Sequence, residues 1–159
     1  YHPPPPPAPT TCKLPNGIIF QNGGVEIAGA AEFVNSMLMQ SVTAHDGSGK
    51  FTSMVFPVWD KQQDASFLNL RARGAFLISS NFSGKIQQVV SPVIIKSEAG
   101  QLCRLLNPWK GAPRNRVEVR DTTTGQPVRV EWEANPSGDD ILDFETTSGI
   151  SYSVSLMGQ

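Results

Sequence analysis

Residues 150–156 read Ile150-Ser-Tyr-Ser-Val-Ser-Leu156, with an apolar side chain at every second position and a serine at each position between. Successive side chains of a β-strand point to opposite faces of the sheet, so this alternation predicts a strand with one dry face and one wet face. Residues 128–133, VRVEWE, repeat the pattern with Val128, Val130 and Trp132 on the apolar face. Strands of this kind are typical of antiparallel sheets.

Seven further segments have the length and the flanking turn residues of short strands. They are Thr52–Val58, Phe67–Arg73, Ala75–Ser80, Ile86–Lys96, Leu102–Leu106, Arg116–Arg120 and Ile141–Glu145. We expect a break near Pro92, because proline cannot sit in the middle of a paired strand. Eight or nine short strands at close spacing predict an antiparallel β-sandwich.

Upstream of these strands the apolar period changes from 2 to 3.6, which predicts one amphipathic helix between Val25 and Ser41. Its apolar stripe consists of Ile27, Ala30, Ala31, Val34, Met37 and Leu38. The predicted fold class is therefore mostly β, an antiparallel β-sandwich preceded by one amphipathic helix.

Three regions follow from these patterns. Residues 1–19 are a Pro-rich leader or linker, in which Pro3 to Pro7 are five consecutive prolines that favour an extended polyproline conformation. A linker is the ordinary role of such a segment, and a PxxP ligand is the alternative. Residues 20–50 hold the helix and a loop, and residues 51–159 form the β-sandwich domain.

Charge and hydropathy argue against two classes of partner. Thirteen basic and fourteen acidic residues give a formal net charge of -1, which supplies no field to hold a phosphate backbone or an anionic lipid surface. No stretch of about 18 apolar residues is present, and no basic-then-apolar leader indicates a signal peptide. We therefore expect a soluble protein that binds neither nucleic acid nor membrane.

Cysteine and histidine are too sparse to predict a metal site. Cys12 and Cys103 form one possible disulfide, and their number is far below that of a disulfide scaffold. No CxxC spacing occurs, and the two histidines, His2 and His45, fall in segments without a strand or helix pattern. We expect no metal and no cofactor.

Carboxylate pairs are the remaining catalytic option, since Gly47-Ser48-Gly49 lacks the strand and helix that flank a nucleophile elbow. Glycoside hydrolysis requires two carboxyl groups across a sugar ring. An acidic run supplies candidates, but Glu131 and Glu133 share one strand face, which is ordinarily a solvated face. Glu26 and Glu32 lie six positions apart on the helix and so on different faces. The run comprises Glu131, Glu133, Asp139, Asp140, Asp143 and Glu145.

Aromatic residues indicate a different kind of site. A flat apolar ring beside polar groups binds amphipathic ligands such as sugars. Trp132 alternates with valines, so we expect it in the core. Trp59 follows a strand end and Trp109 lies in a turn-like segment, which makes these two the candidates for lining a ligand groove.

Five segments in order resemble the carboxy-terminal end of the family 95 α-L-fucosidases. They are Gly23–Glu26, Ala31–Ser41, Val55–Trp59, Leu70–Phe76 and Cys103–Trp109. In that family an (α/α)6 barrel holds the active site, its last helix carries a string similar to AEMLLQS, and an FPAWP-like segment leads into a terminal β-sandwich. The resemblance implies one helix followed by strands, a saccharide ligand, and a secreted or periplasmic origin.

The resemblance also implies candidate site residues. The family has a QIDGN-type string before this helix, whose Asp assists the catalytic water. The corresponding stretch here is Phe20–Glu26, in which Gln21 matches, no Asp occurs, and Asn22 or Glu26 stands nearby. The other catalytic groups of the family belong to barrel helices without a counterpart here, so the chain resembles a fragment.

Two functions are therefore expected, together with a third reading in which the chain is structural only. The first is a carbohydrate-associated accessory domain, in which Gln21, Trp59 and Trp109 contact a saccharide. The second is a small stand-alone glycoside hydrolase, in which Glu26 and Asn22 take part in catalysis. An apolar helix stripe does not remain exposed on a soluble monomer, so the helix must pack either on the sandwich or on another copy in a homo-oligomer.

Overall fold

A computed structural model describes residues 11–13, 19–21, 24–25, 27–43, 49–134 and 138–158, with the side chains of those from Ala31 onward. The chain divides into two compact units, Tyr1–Asn35 and Ser36–Gln159. The first unit contains a three-stranded antiparallel sheet of β1 (Thr11–Lys13), β2 (Ile19–Gln21) and β3 (Gly24–Val25), in that order. Part of the predicted leader thus forms a strand.

One α-helix, α1 (Ile27–Leu38), follows β3 along the described chain. Phe33 and Val34 on this helix are exposed. Packing of the helix on another copy of the chain remains a prediction. In the part of the chain that is described, no helix has the length and hydropathy needed to cross a membrane.

The helix is shorter than the period predicted, because it ends at Leu38 rather than at Ser41. The next five residues form β4 (Met39–Thr43), which pairs antiparallel with β5 (Phe51–Val55). The carbonyl oxygen of Leu38 accepts the backbone N–H of Phe56 at 2.6 Å, which joins the helix end to the end of β5. This part of the helix prediction was wrong because β5, a partner that a local apolar period does not reveal, pairs with the backbone of residues 39–43. The sandwich therefore includes residues upstream of the expected start at 51.

The second unit contains two five-stranded sheets. After β4 and β5 the strands are, in chain order, β6 (Ala65–Ala72), β7 (Phe76–Ser83), β8 (Gln88–Ser97), β9 (Cys103–Leu106), β10 (Val117–Asp121), β11 (Glu131–Ala134), β12 (Asp140–Phe144) and β13 (Ser151–Leu156). The first sheet has the order β10-β13-β8-β7-β6, and the second has the order β11-β12-β9-β5-β4. All pairs in both sheets are antiparallel except β5 with β9, where Ser53 lies opposite Leu105. The predicted antiparallel β-sandwich with one helix before it is confirmed.

The core lies between the inner faces of the two sheets. In the stretch that predicted the fold, Tyr152 and Val154 are buried, and the alternating serines Ser151, Ser153 and Ser155 are only partly covered. Phe76, Ile78 and Phe82 alternate in the same way along β7. Burial of one such side chain contributes about 1.5–3 kcal/mol to folding.

Pro92 sits at an irregularity of β8, close to where a break was expected. The β7–β8 pairing passes from Asn81 opposite Val90 to Ser79 opposite Ile94, so three residues of β8 face a single residue of β7. Pro92 lies in this bulge and is exposed, so the ladder does not need its missing N–H. The strand therefore continues past the proline to Ser97.

Cys103 is a free and fully buried thiol, so the possible Cys12–Cys103 bridge is not formed. Burial raises the pKa of the Cys103 thiol far above its ordinary value, and the neighbouring Asp143 raises it further. Such a thiol stays protonated and behaves as a small apolar core residue.

Candidate functional site

A cleft of about 270 Å³ opens in the second unit, at the end where β5 and β9 begin. The start of β5, the β6–β7 turn and the segment before β9 supply its walls. The lining residues among those that the structure describes are Gly49, Lys50, Phe51, Arg73, Gly74, Phe76, Gln101, Leu102 and Arg104. Three of these nine are cations and none is an acid.

Arg73 forms one wall of the cleft together with an aromatic ring. Its guanidinium carbon lies 5.1 Å from the centroid of the Phe51 ring, within the range of a cation–π contact. Its backbone N–H donates to Oγ of Ser41 at 3.3 Å, which ties the turn to β4. The side chain is exposed, so the face of the guanidinium that points away from Phe51 is available to solvent or to a ligand.

The β6–β7 turn depends on Gly74. This residue has φ of +85°, in the left-handed region where side chains are strained. A Cβ atom at this position would also lie 2.8 Å from the ring of Phe76, which lines the cleft. The sequence Arg73-Gly74 therefore fixes both the turn and the place of the arginine.

The segment before β9 is held by hydrogen bonds on its far side. Oγ of Ser148 donates to the carbonyl oxygen of Glu98 at 2.7 Å, and Gly100 N–H donates to Oγ of Ser97 at 3.0 Å. Oγ1 of Thr146 donates to the carbonyl oxygen of Gln101. Gln101 itself is exposed, so a fixed backbone carries an accessible amide into the cleft.

Arg104 lies at the base of the cleft and is only 2% exposed. Its Nη1 lies 3.0 Å from Oε2 of Glu133 and 3.2 Å from Oδ2 of Asp143, while its Nε donates to Oγ1 of Thr52 at 3.4 Å. The pairing of β9 with β12 sets Arg104 directly opposite Asp143. A buried guanidinium needs such partners, because an unpaired buried charge costs several kcal/mol.

Asp143 is the most perturbed carboxyl group of this cluster. Burial raises the pKa of Asp143 above its ordinary value, Arg104 and then Lys50 oppose the rise, and Glu133 and Glu131 add to it. Oδ1 of Asp143 is buried without a hydrogen-bond partner among the described residues. A raised pKa is what a carboxyl group needs to act as a general acid, so this is the feature here that most resembles acid chemistry.

The side chains of the site residues expected from the resemblance are not among those that the structure describes. Asn22 and Glu26 lie outside the described residues. Gln21 ends β2, and its side chain is likewise not described. Their roles stay predictions.

The two tryptophans expected to line a groove are both engaged in packing. Trp109 is 2% exposed, and its Nε1 donates to the carbonyl oxygen of Val89 at 2.9 Å. A ring so enclosed has no face for a ligand, so its expected place in a groove is corrected. Trp59 is half-buried, contacts the edge of Phe56 and donates from Nε1 to the carbonyl oxygen of Gln63 at 2.9 Å. It does not line the cleft described above.

Trp132 is half-buried and packs against the core with Val128 and Val130, as the alternation predicted. The guanidinium of Arg114 lies 5.7 Å from the Trp132 ring and makes a bidentate pair with Asp140, which lowers the pKa of that carboxyl.

Among the residues with described positions, no group of His, Cys, Asp and Glu side chains could hold a metal ion.

Sequence reasoning did not find Lys50, Arg73 or Arg104 as site residues. Arg104 carried a usable signal, since it is a charge between Cys103 and Leu105 in a strand of otherwise apolar residues. Such a residue must be paired in the folded protein. Lys50 and Arg73 had no such signal, because a cation next to a turn is ordinarily a solvated surface residue.

Comparison with known proteins finds no family model that matches the chain. It also finds no curated protein with a matching sequence.

Proposed function

We propose that this chain is a carbohydrate-associated accessory domain that binds a saccharide in the cleft at the end of the sandwich. The observation that carries the proposal is the combination of an aromatic ring and polar donors around one small opening. Phe51 supplies apolar surface, while Gln101 and Arg73 supply hydrogen-bond donors. Sugars have apolar faces and hydroxyl edges, and such mixed lining is typical of sites that bind them.

The size of the cleft supports a short ligand. Its volume of about 270 Å³ is just below the usual range for ligand sites, roughly 300–1,000 Å³. One sugar unit therefore fills it better than an extended chain segment. Binding through one unit is weak, and an accessory domain gains from it by holding an attached catalytic domain near its polymeric substrate.

The proposal is tested by calorimetric titration of the chain with a panel of soluble mono- and disaccharides. We expect at least one sugar to bind, with binding weakened by Gln101→Ala. Lys85→Ala is the control, because Lys85 is exposed in the turn at the opposite end of β7 from the cleft. If no sugar binds, or if Gln101→Ala and Lys85→Ala bind equally, the cleft is not a saccharide site.

A second function, a small stand-alone glycoside hydrolase, is favoured by one observation. Glu133 and Asp143 both contact the same nitrogen of Arg104, and burial raises the pKa of Asp143 as a general acid requires. Two features weigh against this function. Arg104 lies between the two carboxylates, and the Asp143 side chain is only 12% exposed, whereas the hydrolytic pair must flank an open site.

The hydrolase is tested with a panel of nitrophenyl glycosides. Release of nitrophenol by the wild-type chain that is abolished in Asp143→Asn or in Glu26→Gln would support the enzyme. Release that never exceeds background in the wild-type chain would exclude it and leave the binding function.

A further inference from the structure

We propose that the cleft recognises the carboxylate of an acidic sugar, with Arg73 and Lys50 as the residues that hold the negative charge. This inference rests on the proposed saccharide-binding function and names the class of sugar. It requires a positive field in the cleft, a donor arrangement that fits a carboxylate, and an apolar surface for the ring.

The positive field arises from Arg73 and Lys50, which line the cleft and are both exposed. Arg104 lines the cleft as well, but its charge is offset by Glu133 and Asp143, so it adds little to the field. A chain with a formal net charge of -1 thus presents two exposed cations at one opening. Like-signed charges around a concave site concentrate the field on an anionic ligand.

Arg73 is held in a geometry that suits a carboxylate. Its contact with the Phe51 ring restricts the side chain, and the hydrogen bond from its backbone N–H to Ser41 fixes the backbone that carries it, before any ligand arrives. A guanidinium presents parallel N–H donors that match the two oxygens of a carboxylate, and stacking on a ring leaves that edge open. Arg73 makes no ion pair with any acid among the described residues. A ligand carboxylate would supply the partner.

The remaining lining favours a sugar acid over a free inorganic anion. Phe51 and Leu102 add apolar surface, and Gln101 adds an amide on a backbone fixed by Thr146. A small inorganic anion uses none of these groups beyond the cations. A sugar acid uses them all, since its ring packs on apolar surface and its hydroxyls bond to the amide.

The test measures the affinities of glucuronate, glucose, acetate and inorganic phosphate by calorimetry at low salt. We expect glucuronate to bind at least tenfold more tightly than any of the others. Glucose lacks the charge that strengthens hydrogen bonds to Arg73, and acetate and phosphate lack the ring and hydroxyls that contact the rest of the lining. Arg73→Ala should weaken glucuronate binding by about 10- to 100-fold. Arg73→Lys should restore only part of it, because lysine keeps the charge and loses the paired donors. Lys85→Ala removes one positive charge elsewhere and should change little.

Each other result overturns a defined part of the proposal. Equal affinity for glucuronate and glucose would overturn the acidic-sugar inference and leave saccharide binding intact. Phosphate binding equal to that of glucuronate, lost in Arg73→Ala, would show an inorganic anion site and overturn the sugar acid. Absence of binding by every sugar would overturn both the inference and the proposed function. Far-ultraviolet circular dichroism and thermal unfolding of each variant show that a lost affinity is not a lost fold.

Discussion

Arg104 shows at the scale of one residue how the sandwich tolerates a charge among apolar strands. Its neighbours along β9, Cys103 and Leu105, point into the core, so Arg104 points to the outer face of the second sheet. There Glu133 and Asp143 accept its Nη1 donors. The cluster joins the base of the cleft to the central strands, so its electrostatics affect both stability and the site.

The first prediction concerns Arg104→Met, which keeps the aliphatic length and removes the charge. We expect the free energy of unfolding to fall by about 3 kcal/mol, because the variant leaves Asp143 buried without its cation. Urea denaturation followed by tryptophan fluorescence measures the change. The double variant Arg104→Met with Asp143→Asn should recover part of the loss, and a double variant no more stable than the single one would contradict the coupling.

The second prediction concerns the pH dependence that Asp143 contributes. Its pKa in the folded chain is raised above the ordinary 3.8, so the folded state holds the proton more tightly than the unfolded state. Asp143 therefore contributes stability below pH 3.8, and this contribution is lost as the pH rises through the folded pKa. The stability of the wild-type chain relative to Asp143→Asn should accordingly be greater at pH 4 than at pH 7. Urea midpoints at both pH values check this, and a difference of the opposite sign would mean that the Arg104 and Lys50 charges outweigh burial.

The third prediction concerns Gly74→Ala in the turn that places Arg73. The new Cβ atom meets both the left-handed φ and the Phe76 ring, so we expect a loss of about 1–3 kcal/mol in the free energy of unfolding. Gly125→Ala is the matched control, because Gly125 has a similar φ of +71° and no atom within 4 Å of an added Cβ. Thermal unfolding should therefore show a larger destabilisation for Gly74→Ala, and equal losses would contradict the close approach to Phe76.

At the scale of elements, β4 is the strand that local pattern did not reveal. Its residues follow the helix without a turn signal and continue the helical apolar stripe, so the sequence alone favours a longer helix. Pairing with β5 changes the outcome, since it adds β4 as an edge strand of the second sheet and buries Met39. Propensity is a weak guide where a tertiary contact of this kind is available.

The fourth prediction tests this placement of β4. Met39→Ala should lower the free energy of unfolding by about 2–5 kcal/mol, because Met39 is part of the core between the sheets. Gln40→Ala is the control on the opposite face of the strand, where only a hydrogen bond from Nε2 to the Ser36 carbonyl oxygen is lost. Urea denaturation gives both values, and a Gln40→Ala loss as large as that of Met39→Ala would argue against the strand register.

The strands with strict alternation were the part of the fold that the sequence predicted best. In β13, Tyr152 and Val154 are buried because every second residue is apolar and only one face can be dry. The cleft was not predictable by the same means, since residues 50, 73 and 104 meet only through the pairing of distant strands. The predicted place of Trp109 in a groove was wrong for a related reason. A turn-like sequence gives no sign that its indole N–H donates to the backbone carbonyl oxygen of Val89 in β8.

At the scale of the whole molecule, a nearly neutral chain distributes its charges unevenly around one cleft. Glu133 of β11 and Asp143 of β12 offset the buried Arg104 at the base, while the exposed Lys50 and Arg73 line the cleft where β5 and β9 begin. The two sheets hold this opening on short, hydrogen-bonded segments, so the site is formed before the ligand binds. Sites of this kind lose little conformational entropy on binding.

The most direct measurement is therefore a two-dimensional nitrogen–proton NMR titration of the ¹⁵N-labelled chain with glucuronate. We expect the largest amide shifts at Gly49, Phe51, Gly74 and Gln101, with the amides of the turn around Lys85 unchanged. Shifts confined to other surfaces, or no shifts at millimolar sugar, would contradict the assignment of the cleft as the saccharide site.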